Sequence, residues 1–191
     1  PMFGFRRPEF DEERIDWILR CYAWLFENFG GFARFQQQTL VTPTSDFLPF
    51  RPDGTHEFAE IVFETVKTWM GVEDWICDLE PLDDENPLDE LRRNSNFYGI
   101  SKTASSPAGL FELGQEGVTI YYARSMLLRP NDLVSVFAHE LSHYLISSTV
   151  TVPPGGWEKE EELTDLTAGF RGFGIFLSNS AFTFDQWSDH T

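Results

Sequence analysis

Apolar positions between Asp11 and Phe29 recur at helical spacing, at Ile15, Ile18, Leu19, Tyr22, Ala23, Leu25 and Phe26, and Gly30-Gly31 follows as a stop. A second helical pattern runs from about His56 to Met70, with Phe58, Ile61, Val62, Val66 and Met70 on the inward face and Gly71 ending it. Strand-like pieces are shorter. Thr39 to Val41 is β-like before Pro43, with Pro49, Pro52 and Gly54 marking a loop, and Trp75 to Leu79 fits a short strand. Pro81 to Asn96 turns acidic and turn-prone and reads as a solvated excursion. Phe97 to Ile100, Leu110 to Leu113 and Val118 to Ala123 follow as three more strand candidates. The last of these could offer an open edge to an extended peptide, or lie inside a sheet.

A third helix is expected from Pro130 or Asn131 to Ser147, since Pro suits a first turn and Asn a cap. With His139 as reference, Asp132, Val136, His143 and Ile146 share its face; Val134, Ala138, Leu141 and Leu145 cover the opposite side and Leu133, Phe137 and Tyr144 a flank. A helix apolar nearly all round is buried, so its histidines belong to the interior. No internal repeat is found.

The composition fits this pattern. At 191 residues, with 41% apolar and 16% aromatic residues, the chain suits one α+β domain over its whole length. A net charge of −17 without a basic cluster argues against nucleic acid, and a basic peptide or protein is the better electrostatic match. Cys21 and Cys77 lie far apart and form no ligand pair, as expected of free thiols in a reducing compartment. The start PMFGFRRPEF has no apolar signal region and no segment is long enough to span a membrane, so a soluble cytoplasmic protein is expected. The chain ends abruptly after FTFDQWSDHT, which leaves room for a further C-terminal segment.

The candidate chemistry lies on the third helix, in FAHELSHYL, where His139, Glu140 and His143 form H-E-x-x-H. Two residues four apart on a helix lie about 40° apart around its axis, so two imidazoles can aim at one metal ion. Glu140, one step past the first His, stands beside that ion and can take a proton from a water. Composition alone would produce roughly 0.01 such matches in a chain like this.

A third ligand is sought downstream, where the run PPGG precedes WEKEEELTDLTAGFRGFGIFL. Acids favour a helix's first turn, which accounts for Glu158, Glu160, Glu161 and Glu162 as charge but not for Asp165. Glu161 and Asp165 are four apart and point the same way, and Asp165 sits among Leu163, Leu166 and Ala168 as if buried. Glu161 would complete a His, His, Glu set while Asp165 orients one imidazole; Glu158 is the substitute if the register differs. The stripe Ala168 and Gly172 would let this helix approach the His helix closely.

HELSH followed by E-x-x-x-D resembles the gluzincin class of zinc metallopeptidases, the thermolysin-like pattern. The tail TDLTAGFRGFGIFLSNSAF also resembles a segment of small bacterial proteins bearing the same two motifs. The similarity covers roughly Val118 to Phe182. It implies a zincin-like fold, with a small mixed sheet packed on helices that include a buried H-E-x-x-H helix and a second helix carrying a Glu ligand. It implies one Zn2+ held by His139, His143 and Glu161, Glu140 as the base, and Asp165 supporting a ring. The implied activity is hydrolysis of a peptide or protein substrate at an amide bond by zinc-bound water. The class also offers a His or Tyr to the oxyanion, for which Tyr121, Tyr122, Tyr144, His56 and His190 are candidates.

A metzincin is disfavoured because Ile146 and Thr149 stand where Gly and the third His are required. A deformylase would need a Cys ligand in a different setting from WICDLEP. The alternative from another class is an acidic interaction or regulatory domain that keeps zinc for structure, distinguished by a closed coordination shell.

Overall fold

The structure is a computed structural model and describes residues 11–49, 51–82, 109–113 and 118–179. Helix α1 spans Glu12–Asn28, and Asp11 caps it by accepting from the Glu13 and Arg14 amides. Its buried side is Cys21, Trp24 and Leu25; Ile15 and Leu19, which the periodicity counts as inward, are exposed. Gly30 and Gly31 both take positive φ, and Gly31 opens a short helix that the pattern does not predict, α2 (Gly31–Phe35). That turn brings Phe35 against Phe26 at 5.4 Å and Phe170 at 5.0 Å, an aromatic cluster that ties α1 and α2 to the helical segment Gly169–Phe173.

Helix α3 (His56–Met70) has both predicted ends. Thr55 accepts from the Phe58 amide, and Gly71 closes the helix in the left-handed region at φ 70°. Phe58, Val62, Val66 and Met70 are buried as expected, whereas Ile61 is 55% exposed, because the apolar stripe turns toward Ala59 and Phe63 instead.

Strand β1 is Cys77–Leu82, displaced toward the C-terminus from the expected Trp75 to Leu79. It can include Pro81 because it is an outer strand with only one partner among the described residues, so a missing N–H there breaks no second ladder. β2 is Gly109–Leu113 and β3 Val118–Ala123, in the order β1-β3-β2. β1 runs parallel to β3 and β2 antiparallel to it. β3 is therefore an interior strand, and the open peptide-pairing edge considered for it is corrected: both its sides are occupied. Its alternation, with Val118, Ile120 and Tyr122 buried, matches a strand set against helices. The expected strand at Phe97 to Ile100 and most of the acidic excursion lie outside the described residues.

From β3 a single 3-10 turn, Arg124–Met126, leads into α4 (Pro130–Ser147). Pro130 takes the first helical position; Asn131 does not cap, since Arg129 holds that place without a side-chain bond. α4 is the central helix. It packs against α3, β2 and β3 on one side and against the later helix α5 (Glu160–Ala168) on the other. One apolar cluster joins α3, β3 and α4, and a second joins α1 to Ile146, Leu163 and Phe170. The protein is thus a mixed α+β fold built around the motif helix.

The helical run continues through Gly169–Phe173 with a kink at Gly172, φ 95°. A Cβ on Gly172 would collide with the Thr39 carbonyl oxygen, and the Gly172 carbonyl accepts from the Val41 amide at 2.9 Å. The close approach expected of this glycine therefore serves the segment around Thr39, not the His helix. The expected strand Thr39 to Val41 is irregular for the same reason: its polar contacts go to the kink and not to a ladder. Gly172→Ala is expected to destabilise the fold by about 3 kcal/mol or more, combining left-handed strain with overpacking, as a lowered midpoint in denaturant unfolding. A change under about 0.5 kcal/mol would show that the kink is not required.

Candidate metal centre

Helix α4 presents His139 and His143 one turn apart, and α5 lies alongside with Glu160 and Glu161 of its acidic first turn against them and Glu162 turned to solvent. The two rings stand 4.9 Å apart at 79°. His139 Nε2 lies 3.4 Å from one oxygen of Glu161, and His143 Nε2 lies 3.6 Å from the other. Ligand atoms of His139, His143 and Glu161 all fall within 4.8 Å of one another.

The opposite ring nitrogens are tethered. His139 Nδ1 donates to Asp165 Oδ1 at 2.9 Å. His143 Nδ1 meets Glu160 Oε1 at 3.2 Å and the Thr164 hydroxyl at 3.3 Å. When Nδ1 carries the proton, each Nε2 directs a lone pair at a carboxylate oxygen, and a proton or a cation between them is needed to make that contact favourable. The donor set, two imidazole nitrogens and a carboxylate, is one that zinc accepts. These residues fit the ion that the motif implies.

The charges follow from the packing. Burial pulls the His139 imidazolium down, but hydrogen bonds to Asp165 and Glu161 and the nearby Glu140 charge overcome it, and its pKa is pushed up to about 10. Any metal entering here displaces that proton. Glu140 is only 6% exposed, and burial pushes its carboxyl above the usual range, with His139 and His143 pulling it back.

Comparison with family models, with curated proteins and with solved structures finds no match to this chain. The site therefore stands on its own residues.

His139, Glu140, His143, Glu161 and Asp165 are brought to one place, with one change of character. Asp165 is not a buried carboxylate: its side chain is 61% exposed and reaches His139 from the rim. Glu158 belongs to the 3-10 turn Trp157–Lys159, is exposed and takes no part in the cluster. Sequence reasoning missed Glu160 and Thr164 as the partners of His143. Their own spacing of four, one residue before Glu161 and Asp165, was the available signal. Of the oxyanion candidates, Tyr122 and His56 bond each other, hydroxyl to Nδ1 at 2.8 Å, with Tyr122 fully buried. Burial is also what raises the Tyr122 phenol to about 12. Tyr144 stacks edgewise on Trp75 at 4.4 Å, and His190 lies outside the described residues.

Removing the Asp165 carboxylate frees the His139 ring to rotate and lowers its basicity. Asp165→Ala is expected to weaken zinc about tenfold, the low end for such partners because the group is exposed, while Glu158→Ala leaves affinity unchanged. Competition with a chromogenic chelator reads both; equal effects would contradict the assigned register.

Proposed function

We propose that the chain is a zinc-dependent hydrolase acting on the amide bond of a peptide or protein substrate, a minimal zincin-like metallopeptidase of the gluzincin type. The observation that carries this reading is the convergence of two Nε2 atoms on the Glu161 carboxylate while each Nδ1 is held by an oxygen from α5. His139, His143 and Glu161 would hold the ion, which when bound supplies a Lewis acid and makes a coordinated water acidic near neutral pH.

The chain's own residues supply the rest. Asp165 fixes the His139 ring, and Glu160 with Thr164 fixes the His143 ring, each turning Nε2 toward Glu161 as the ligand atom. Glu140 is adjacent in sequence to His139, buried, and not itself among the three clustered ligands. Its raised pKa suits a group that accepts a proton and then returns it to a leaving amine.

The non-catalytic alternative calls for a closed shell. Against it, His139 and Glu161 retain 24% and 42% side-chain exposure, and no fourth His, Cys, Asp or Glu joins the cluster among the described residues. Among those residues no helix is long and apolar enough to cross a membrane, and both cysteines are free. We propose a cytoplasmic location, with which free thiols are in keeping. The test is incubation of zinc-loaded protein with a mixed peptide library, read by mass spectrometry. Chelator-sensitive cleavage is expected; its absence at every peptide would contradict the reading.

A further inference from the structure

We propose a second ligand site, independent of the metal centre: a pocket between α2 and the kinked segment Gly169–Phe173 that binds a phosphate-type oxyanion through Arg34 and Arg171. The two arginines line one cavity of about 270 Å³, walled further by Gln37 and Thr39 and by the C-terminal end of α3. That size is just under the roughly 300–1,000 Å³ of pockets for drug-sized ligands, so it suits an inorganic ion or a small monoester.

Arg171 is the unusual member. It is 4% exposed, yet among the described residues neither it nor Arg34 forms an ion pair, and its Nε has no hydrogen-bond partner. A buried cation without a counter-ion is costly, and a second cation beside it adds repulsion. Both effects appear in its acidity: burial first, then Arg34, pulls the Arg171 guanidinium down to about 10. The Phe29 and Phe170 rings, 5.0 and 6.0 Å from the guanidinium carbon, attract the cation through their faces but leave Nε without a hydrogen bond.

The fold does not answer these donors from within. Carbonyls at the end of α3 accept from other donors, Lys67 from the Val72 amide, Thr68 from the Gly71 amide and Trp69 from the Gln38 side chain, and none of them pairs with Arg171 Nε. The Arg171 carbonyl also accepts from Gln38, which fixes the backbone of the pocket wall. In a chain of net charge −17, keeping two arginines apart from every described carboxylate leaves an opening for a mobile anion. Two planar guanidinium forks match a polyoxygen dianion, which would neutralise the pair, better than they match chloride or a single carboxylate.

Equilibrium dialysis of the purified full chain against radiolabelled inorganic phosphate tests the site. Saturable binding is expected, weakened at least tenfold by Arg34→Gln. That residue is exposed, so the variant is expected to retain its circular dichroism spectrum. Arg20→Gln, which removes the same charge from a surface pair with Asp16, should leave binding unchanged. Absence of saturable uptake, equal uptake by Arg34→Gln, or an equal loss in Arg20→Gln would overturn the proposal. Displacement by phenyl phosphate would extend the site to esters, and resistance to it would restrict the site to the free ion; either result keeps the pocket.

Discussion

Glu140→Gln is expected to lower amide hydrolysis by about 10²–10⁴-fold, the range over which a positioned general base contributes, while leaving zinc content and fold unchanged. The substitution preserves the shape of the side chain and removes its capacity to accept a proton. Glu140 is not among the three clustered ligand residues, so the ligand set is intact in the variant. Burial is what raises the wild-type carboxyl, and a neutral amide at a 6% exposed position avoids that cost. Stability should therefore hold or rise. A variant that cleaved peptides as fast as the wild type would exclude Glu140 as the base, and one that lost its zinc would show that the carboxylate holds the ion.

Glu161→Ala carries the second large effect. Each oxygen of Glu161 faces a different imidazole, so its loss removes a ligand and the charge that balances the ion. Affinity for zinc should fall by more than the 10–100-fold that outer partners typically carry. Glu162, next in sequence and exposed, has no contact with either ring, and Glu162→Ala should bind as the wild type does. The comparison isolates register: one step along the helix turns a side chain by about 100°, from the cluster to solvent. Equal losses in the two variants would mean that general acidity of the first turn, and not one ligand, attracts the ion.

Much of this was readable from local signals. α1, α3 and α4 have strong periodicity and clear ends in Asp11, His56, Gly71 and Pro130, and β3 was bounded as observed. The clustered residues His139, His143 and Glu161 were legible because helical spacing of four applies to both motifs at once. What failed depends on distant chain. Ile61 is exposed since the tertiary partners of α3, not its own pattern, decide which edge of the stripe is covered. Thr39 to Val41 has a β-like composition but meets the Gly172 kink in place of a strand. Asp165 looked buried among apolar neighbours in sequence, yet a helix places those neighbours on other faces, leaving it at the rim. Glu160 and Thr164 were hidden because an acidic first turn already has an ordinary electrostatic explanation.

Hydrolysis at this cluster requires that a metal occupy it. Protein purified without added metal, analysed by mass spectrometry for bound elements alongside His143→Ala, measures this directly. About one zinc per wild-type chain, and none in the variant, is the predicted result. A wild-type chain without zinc that also fails to take it up on titration, or a variant that keeps its zinc, would contradict it.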